Sequence, residues 1–295
     1  MSKIVTIDSG QLALSLRLPE LGMPEILSFG AEPADADPLF EIERSSRVNG
    51  MDVAVPSSVL LPTGGMGFFG WPAISGHRGG RDFVAQFGKW EFFRDGHRTV
   101  LAGLDPVAKL AISITLTAYP SGPISMATKL TNRGETDYQL DRCMAGTFLA
   151  PAGDLQVMSF TGIWGREFQT RRELLGNGTW IQENRRGRTS HDRFPMLFIE
   201  SETQIFGVTL GFSGNHQMVI DRTDDGRRRG LTAHRPRELF RGHGIPMTAV
   251  RPSAVSPPTV ARPPMIRLSA LLACCLGLSS TATANEATAK TISAR

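Results

Sequence analysis

The side chains that could do chemistry gather in three stretches of the 295-residue chain. The first runs from Trp71 to Phe83, where Trp71, His77, Arg78, Arg81 and Asp82 share a loop with Gly76, Gly79 and Gly80, behind a run from Gly64 to Gly70 that is itself rich in glycine. Glycine at this density marks backbone that turns sharply or lies close to something else. An aromatic platform beside charged groups that can pair with hydroxyls is the chemistry of a sugar site. The competing reading is a structural loop with a solvated charge cluster. The second stretch combines Gly162-Ile163-Trp164-Gly165-Arg166-Glu167 with Arg185-Arg186-Gly187-Arg188-Thr189-Ser190-His191-Asp192-Arg193-Phe194-Pro195. It reads as a recognition surface, or as a charged interface in which Glu167 pairs with an Arg. The third, Gly211-Phe212-Ser213-Gly214-Asn215-His216, reads as a hairpin turn, since Gly and Asn tolerate positive φ.

Other chemistries find no support in the residue pattern. The six His are scattered, none in H-x-x-x-H spacing, so no metal site is expected. No G-x-S-x-G nucleophile elbow and no phosphate-cradling glycine motif occurs, and no cofactor is expected. Glycoside hydrolysis needs two carboxyl groups about 5–10 Å apart. Asp82, Glu91, Asp95, Glu167 and Glu183 are available, but spacing in sequence places no two of them together. No residue is therefore assigned a catalytic role.

The elements that must position these loops are strands. Leu12, Leu14, Leu16 and Leu18 alternate with smaller or polar residues, and so do Leu110, Ile112, Ile114 and Leu116. Period two places one set of side chains on a core face. Tyr119 to Pro123 breaks the second run, and Ile124 to Leu130 alternates back, which predicts a hairpin. Asn132-Arg133-Gly134 makes the next turn. Further strands are expected over 156–164, 193–200, 204–212 and 216–221. Many short strands separated by Gly, Pro and Asn, with no helical periodicity, predict an all-β sandwich.

Charge divides the chain. The net charge is +4 and the pI about 9.2, which points first to polyanions. Eleven basic and two acidic residues lie in 227–295, a net of +9, leaving −5 for residues 1–226. All four Trp precede the break, whereas seven of the nineteen Pro follow it. A segment with few aromatics, many Pro and charge of one sign buries too little to offset its ordering entropy. The expected boundaries are therefore a sandwich over 1–228 and a disordered basic tail over 229–295. The acidic body argues against a nucleic-acid partner. Within the tail, 265–285 has the layout of a secretory signal peptide, with Arg267, an apolar run from Leu268 to Leu278 and Ala282-Thr283-Ala284. That run is shorter than the roughly 20 residues of a membrane span. A membrane anchor and read-through into a neighbouring gene after a frameshift are the two explanations, the second being simpler. No export signal is visible at Met1–Asp8, and the body has the single Cys143, so a cytoplasmic location and no membrane partner are expected.

Taken together and in order, Arg47-Val48-Asn49-Gly50, Phe69-Gly70-Trp71-Pro72 through Arg81-Asp82-Phe83, Gly162 through Glu167, Arg186 through Pro195 and Gly207-Val208-Thr209-Leu210-Gly211-Phe212-Ser213-Gly214-Asn215 resemble the N-terminal domain of glycoside hydrolase family 36 α-galactosidases. The resemblance runs to about Arg228. It implies a β-supersandwich of the galactose-mutarotase-like kind that precedes a (β/α)8 barrel, and homo-oligomers among intact members. It also implies retaining hydrolysis of terminal α-galactosides by two Asp of the barrel. Neither a K-x-D-x-N-R nor a C-S-x-G-G type stretch occurs here, so the expectation is a fragment without the catalytic barrel, inactive by itself. A carbohydrate-binding or assembly module is the alternative, and an aldose epimerase using His191 with Glu167 a more distant one. Pro72, Gly76, Asp82 and Phe83 match a family loop that reaches an active site in the oligomer. That makes Asp82, with Arg81 and Trp71, the residues expected to touch a galactoside. The family often has Arg after the aromatic residue, where this chain has Val84.

Overall fold

Period-two alternation turns into strand along the whole body. The computed structural model describes residues 3–30, 59–66, 70–150, 154–188, 191–202, 204–212, 214–222, 228–234 and 245–254, all within the unit Met1–Pro257. The strands, in chain order, are β1 (Lys3–Asp8), β2 (Ala13–Leu18), β3 (Glu25–Gly30), β4 (Ile74–His77), β5 (Gly88–Asp95), β6 (Arg98–Asp105), β7 (Leu110–Ala118), β8 (Ile124–Asn132) and β9 (Gln139–Leu149). They continue as β10 (Gln156–Ile163), β11 (Arg166–Leu174), β12 (Gly178–Asn184), β13 (Asp192–Glu200), β14 (Gln204–Leu210), β15 (His216–Arg222), β16 (Arg228–His234) and β17 (Ile245–Ala254). The sole helical turn among the described residues is a 3₁₀ turn at Gly64–Met66.

These strands form three antiparallel sheets. The smallest has the order β1-β2-β3, the next β12-β15-β16-β9-β4, and the largest β11-β10-β13-β14-β17-β8-β7-β6-β5. Leu110, Ile112, Ile114, Leu116 and Ala118 are all buried while the residues between them are not, so β7 keeps the expected alternation. Its hairpin to β8 closes through Gly122 N–H donating to Tyr119 O at 2.8 Å. β2 departs from alternation: Ala13 and Ser15 are buried as well as Leu14 and Leu16. It is the middle strand of its sheet, covered on both faces. A single apolar cluster joins all three sheets, from Leu16 through Phe87 and Ile114 to Val208 and Ile220. Full burial of one such aliphatic side chain contributes about 1.5–3 kcal/mol.

Two strands lie beyond the boundary expected at residue 228. β16 pairs with β15 on one side and β9 on the other, opposing Asp221 to Arg229 and Phe148 to Gly230. β17 pairs with β14 and β8. Each therefore joins two halves of a sheet that would otherwise end in unpaired edges. Proline content suggested disorder here, yet Pro252 falls in the register shift between Val250↔Gly207 and Ser253↔Ile205, a site that tolerates Pro. Pro246 precedes the first β17 residue paired with β14, Met247, and opposes Ala127 of β8. The signal-like stretch 265–285 lies outside the described residues.

The third glycine-rich stretch is not a hairpin. β14 and β15 belong to different sheets, so residues 211–215 cross from one sheet to the other. Gly214 takes φ 137° there.

Candidate functional site

The loop that follows β4 is a rigid display built on Arg78. Arg78 and Arg81 exchange backbone hydrogen bonds of 2.7 and 3.0 Å around Gly79 and Gly80, whose φ values are 56° and 81°. Two consecutive positive φ values define the tight mirror-image turn that matches strand twist, which is why two glycines stand there. The Arg78 guanidinium then reaches away from the loop. Its Nη2 donates to Ala108 O and Asn132 Oδ1, each at 3.0 Å, and its Nη1 donates to Thr136 O. The guanidinium also lies 5.6 Å from the centre of the Tyr138 ring. Its Nε donates to Asp82 Oδ2 at 3.1 Å. The loop is thereby tied to the β6–β7 and β8–β9 turns at once.

Asp82 takes φ 55°, an uncommon conformation for a residue other than Gly. Its backbone carbonyl accepts a 3.3 Å hydrogen bond from the Tyr138 hydroxyl. Burial, together with the Asp141 and Asp82 charges, pushes that hydroxyl up to about 12 and keeps it a proton donor. Asp82 Oδ1 carries no hydrogen bond among the described residues, and the side chain is 28% exposed. Beyond it Phe83 is 68% and Val84 49% exposed, and Arg81 is exposed too. The far end of the loop is held by Asp105, a buried carboxylate that accepts from Gln86 N at 2.7 Å and from Val107 N and Ala108 N at 2.9 Å each. Arg78, Tyr138 and Asp105 were not singled out by sequence for this work. Asp105-Pro106 is a turn signal, but nothing local tells that its carboxylate would hold a loop 19 residues away.

Trp71 stands apart from Asp82. It precedes β4 whereas Asp82 follows it, and that four-residue strand spans roughly 13 Å. The indole is half-buried against the core, with the Arg142 guanidinium 4.4 Å above its ring. Arg81 and Asp82 thus share a surface loop, while Trp71 belongs to a second cluster at the other end of the same strand.

The two halves of the second stretch do meet. β10 and β13 pair Gly162 with Asp192 and Thr161 with Arg193. Ile163 and Trp164 project at the tip of the β10–β11 hairpin, Trp164 being 91% exposed. Among the described residues Glu167 has no Arg partner of the kind expected; its Oε1 accepts from Gly165 N at 3.0 Å within its own hairpin. It sits on β11, with β10 between it and the strand that follows His191, about 10 Å across two ladder spacings. Arg186 pairs instead with Asp192 at 2.6 Å, and Arg185 with Glu183 at 2.8 Å.

The carboxylates considered for hydrolysis are dispersed. Asp82 adjoins β4 and Glu183 lies on β12, the two edges of the five-stranded sheet. Glu167 lies on β11, and Glu91 and Asp95 on β5, the two edges of the nine-stranded sheet. Asp82 and Glu183 are each taken up by an arginine. Arg47–Gly50, Phe69, Thr189, Ser190 and Ser213 fall outside the described residues.

Three antiparallel sheets thus display an Asp-Phe loop on a tight Gly-Gly turn. The family model of the glycosyl hydrolase family 36 N-terminal domain matches residues 22–239. The chain belongs to this family. An α-galactosidase of Escherichia coli is 35% identical over 198 residues, which are 65% of this chain and 28% of that enzyme. The α-galactosidase Mel36A of Lactobacillus acidophilus is 24% identical over 187 residues, 60% of this chain and 26% of that enzyme. The family 36 domain therefore spans less than a third of the length of these relatives. Among solved structures, the α-galactosidase AgaA of Geobacillus stearothermophilus superposes with a TM-score of 0.70 at 19% identity. The match covers 85% of this chain and 41% of AgaA, and it shows the same fold. A variant of AgaA solved in complex with raffinose superposes with a TM-score of 0.71 at 18% identity, covering the same shares of the two chains. The family domain ends eleven residues past the boundary at 228 and takes in the whole of β16.

Proposed function

We propose that this family 36 domain is the non-catalytic sandwich of an α-galactosidase acting on terminal α-galactosides, and that it does not hydrolyse them by itself. What supports the reading is the 35% identity to an enzyme of that activity, of which the chain spans 28%. The dispersal of the carboxylates over the sheet edges agrees with it, since a retaining pair must stand about 5–5.5 Å apart. Hydrolysis belongs to a catalytic barrel with which the sandwich works.

The contribution of the sandwich is a contact to the sugar. Asp82 Oδ1 is accessible and accepts hydrogen bonds from galactose hydroxyls, while Arg78 holds Oδ2 and fixes the side chain. Exposed Phe83 offers an apolar face beside it. Exposed Arg81 adds a positive charge to the same loop, and Trp71, packed against the core under the Arg142 guanidinium, supports the start of β4 rather than stacking on the ligand. The structure of an AgaA variant in complex with raffinose makes an α-galactoside of this kind the ligand to try first. A cytoplasmic location is proposed with it, on the single body Cys143, whose thiol burial pushes up to about 12.

Purified chain mixed with a chromogenic α-galactoside is expected to show no turnover above the spontaneous rate. Turnover that disappears in Asp82→Ala would overturn the proposal. Galactose or raffinose is expected to bind weakly, in the millimolar range typical of a few exposed hydrogen bonds. Nuclear magnetic resonance shifts should centre on Asp82 and Phe83 and vanish in Asp82→Asn.

A further inference from the structure

The five-stranded sheet carries a pocket at the edge opposite to Asp82. Arg186, Arg188, His191 and Asp192 line an open cavity of about 440 Å³ between β12 and β13. That volume suits a small ligand. β4 and β12 are the outer strands of this sheet, four ladder spacings or about 19 Å apart, so the pocket is separate from the Asp82 loop.

The loop that lines the cavity is pinned by one buried side chain, Asn184, and one half-buried side chain, Asn215. Asn184, 1% exposed, sets its Nδ2 amide, which has two hydrogens to share, among three carbonyls, Arg188 O at 2.9 Å, His191 O at 2.5 Å and Arg193 O at 2.9 Å. Its Oδ1 accepts from Arg186 N at 2.8 Å. Asn215, from the crossing segment before β15, accepts from Gly187 N at 2.8 Å. Gly187 takes φ 74° to make the bend. Two amide side chains thus satisfy the backbone of the loop, while its side chains Arg186 and Arg188 are exposed.

The charge of the pocket is unbalanced. Arg186 is neutralised by Asp192 and Arg185 by Glu183, and the Arg186 hydrogen bond holds the Asp192 carboxyl below its ordinary range. Arg188 is exposed, and its guanidinium has no ion pair among the described residues. A guanidinium without an ion pair beside an open cavity can take two oxygens of a phosphate or carboxylate group in its planar fork. This basic spot stands out on a body whose residues 1–226 sum to −5.

We infer that the Arg186–Asp192 pocket is a binding site for a small ligand carrying an oxyanion, a phosphate or a carboxylate, with Arg188 taking the oxyanion and Asn184 positioning the loop. The inference does not rest on the galactoside reading, because the residues and the sheet edge differ.

Titration calorimetry with inorganic phosphate, galactose 6-phosphate, galacturonate and neutral galactose, on the full chain at low ionic strength, tests it. At least one of the three anions should bind saturably, and which of them binds tightest separates phosphate from carboxylate. Binding should weaken about tenfold or more in Arg188→Gln, the scale of losing a hydrogen bond to a charged group, and fall as salt screens the charge. Arg188 is exposed, so the substitution leaves the fold intact, which a circular dichroism melt verifies. Asp82→Asn should leave anion binding unchanged, which keeps this result distinct from failure of the sugar site. Equal affinity for galactose and the anions, or no effect of Arg188→Gln, overturns the inference. Tighter binding of an acidic peptide than of any small anion also overturns it and makes this face a protein-docking surface.

Discussion

Arg78 shows how much one side chain can organise. It supports the loop through a carboxylate, an amide and two carbonyls, and faces an aromatic ring. Replacing it by Ala leaves Ala108 O and Thr136 O without that donor and frees Asp82 to rotate. Arg78→Ala is expected to cost about 2–3 kcal/mol in urea unfolding. Arg78→Lys should recover little of this, since an ammonium group cannot reproduce the planar fork. If Arg78→Ala unfolds at the same urea concentration as the parent, the hub assignment fails. Asp82 was singled out in sequence because it falls with Pro72, Gly76 and Phe83 in one short stretch that matches a family loop. Arg78 sits in the same stretch, but its partners Ala108, Asn132 and Thr136 lie 30 to 58 residues away.

β4 is only four residues long, yet it sets the direction of the candidate loop. It does so by lying flat on β9, pairing Ile74 with Cys143 and His77 with Gln139. Gly76 makes that possible, because a Cβ there would meet Gln139 O at 2.4 Å and the Tyr138 ring at 2.6 Å. Gly76→Ala must push β4 off β9 and is expected to cost about 1–3 kcal/mol, the range of forced overpacking. Thermal melts will read that loss. Limited proteolysis should also cut near Arg81 sooner than in the parent, and a melt within error of the parent would refute the close approach. Strands with one buried face, such as β7, were legible from alternation. β11 was not, since its residues are exposed but for Glu173, so no apolar period exists to be read. β4 was hidden by its length.

Both larger sheets depend on strands from the basic end of the chain. β16 fills the middle of one and β17 the middle of the other. A chain ended after Arg228 would leave β9, β15, β8 and β14 with open edges. It is expected to lose cooperative unfolding and to scatter light on standing, whereas a chain ended after Pro257 should melt as the parent does. Identical melts for the two would show that β16 and β17 do not contribute. The sequence by itself determined the strand class, the hairpin at Tyr119–Pro123, the family and the loop that bears Asp82. These are carried by neighbouring residues, through side-chain period and turn chemistry. Only the tertiary structure decided that Trp71 and Asp82 lie at opposite ends of β4, that the carboxylates part to separate sheet edges, and that Arg228–His234 is a sheet centre. Those outcomes depend on which strands become neighbours, and antiparallel pairing across long separations in sequence is chosen by the packing of the whole core, which no local composition records.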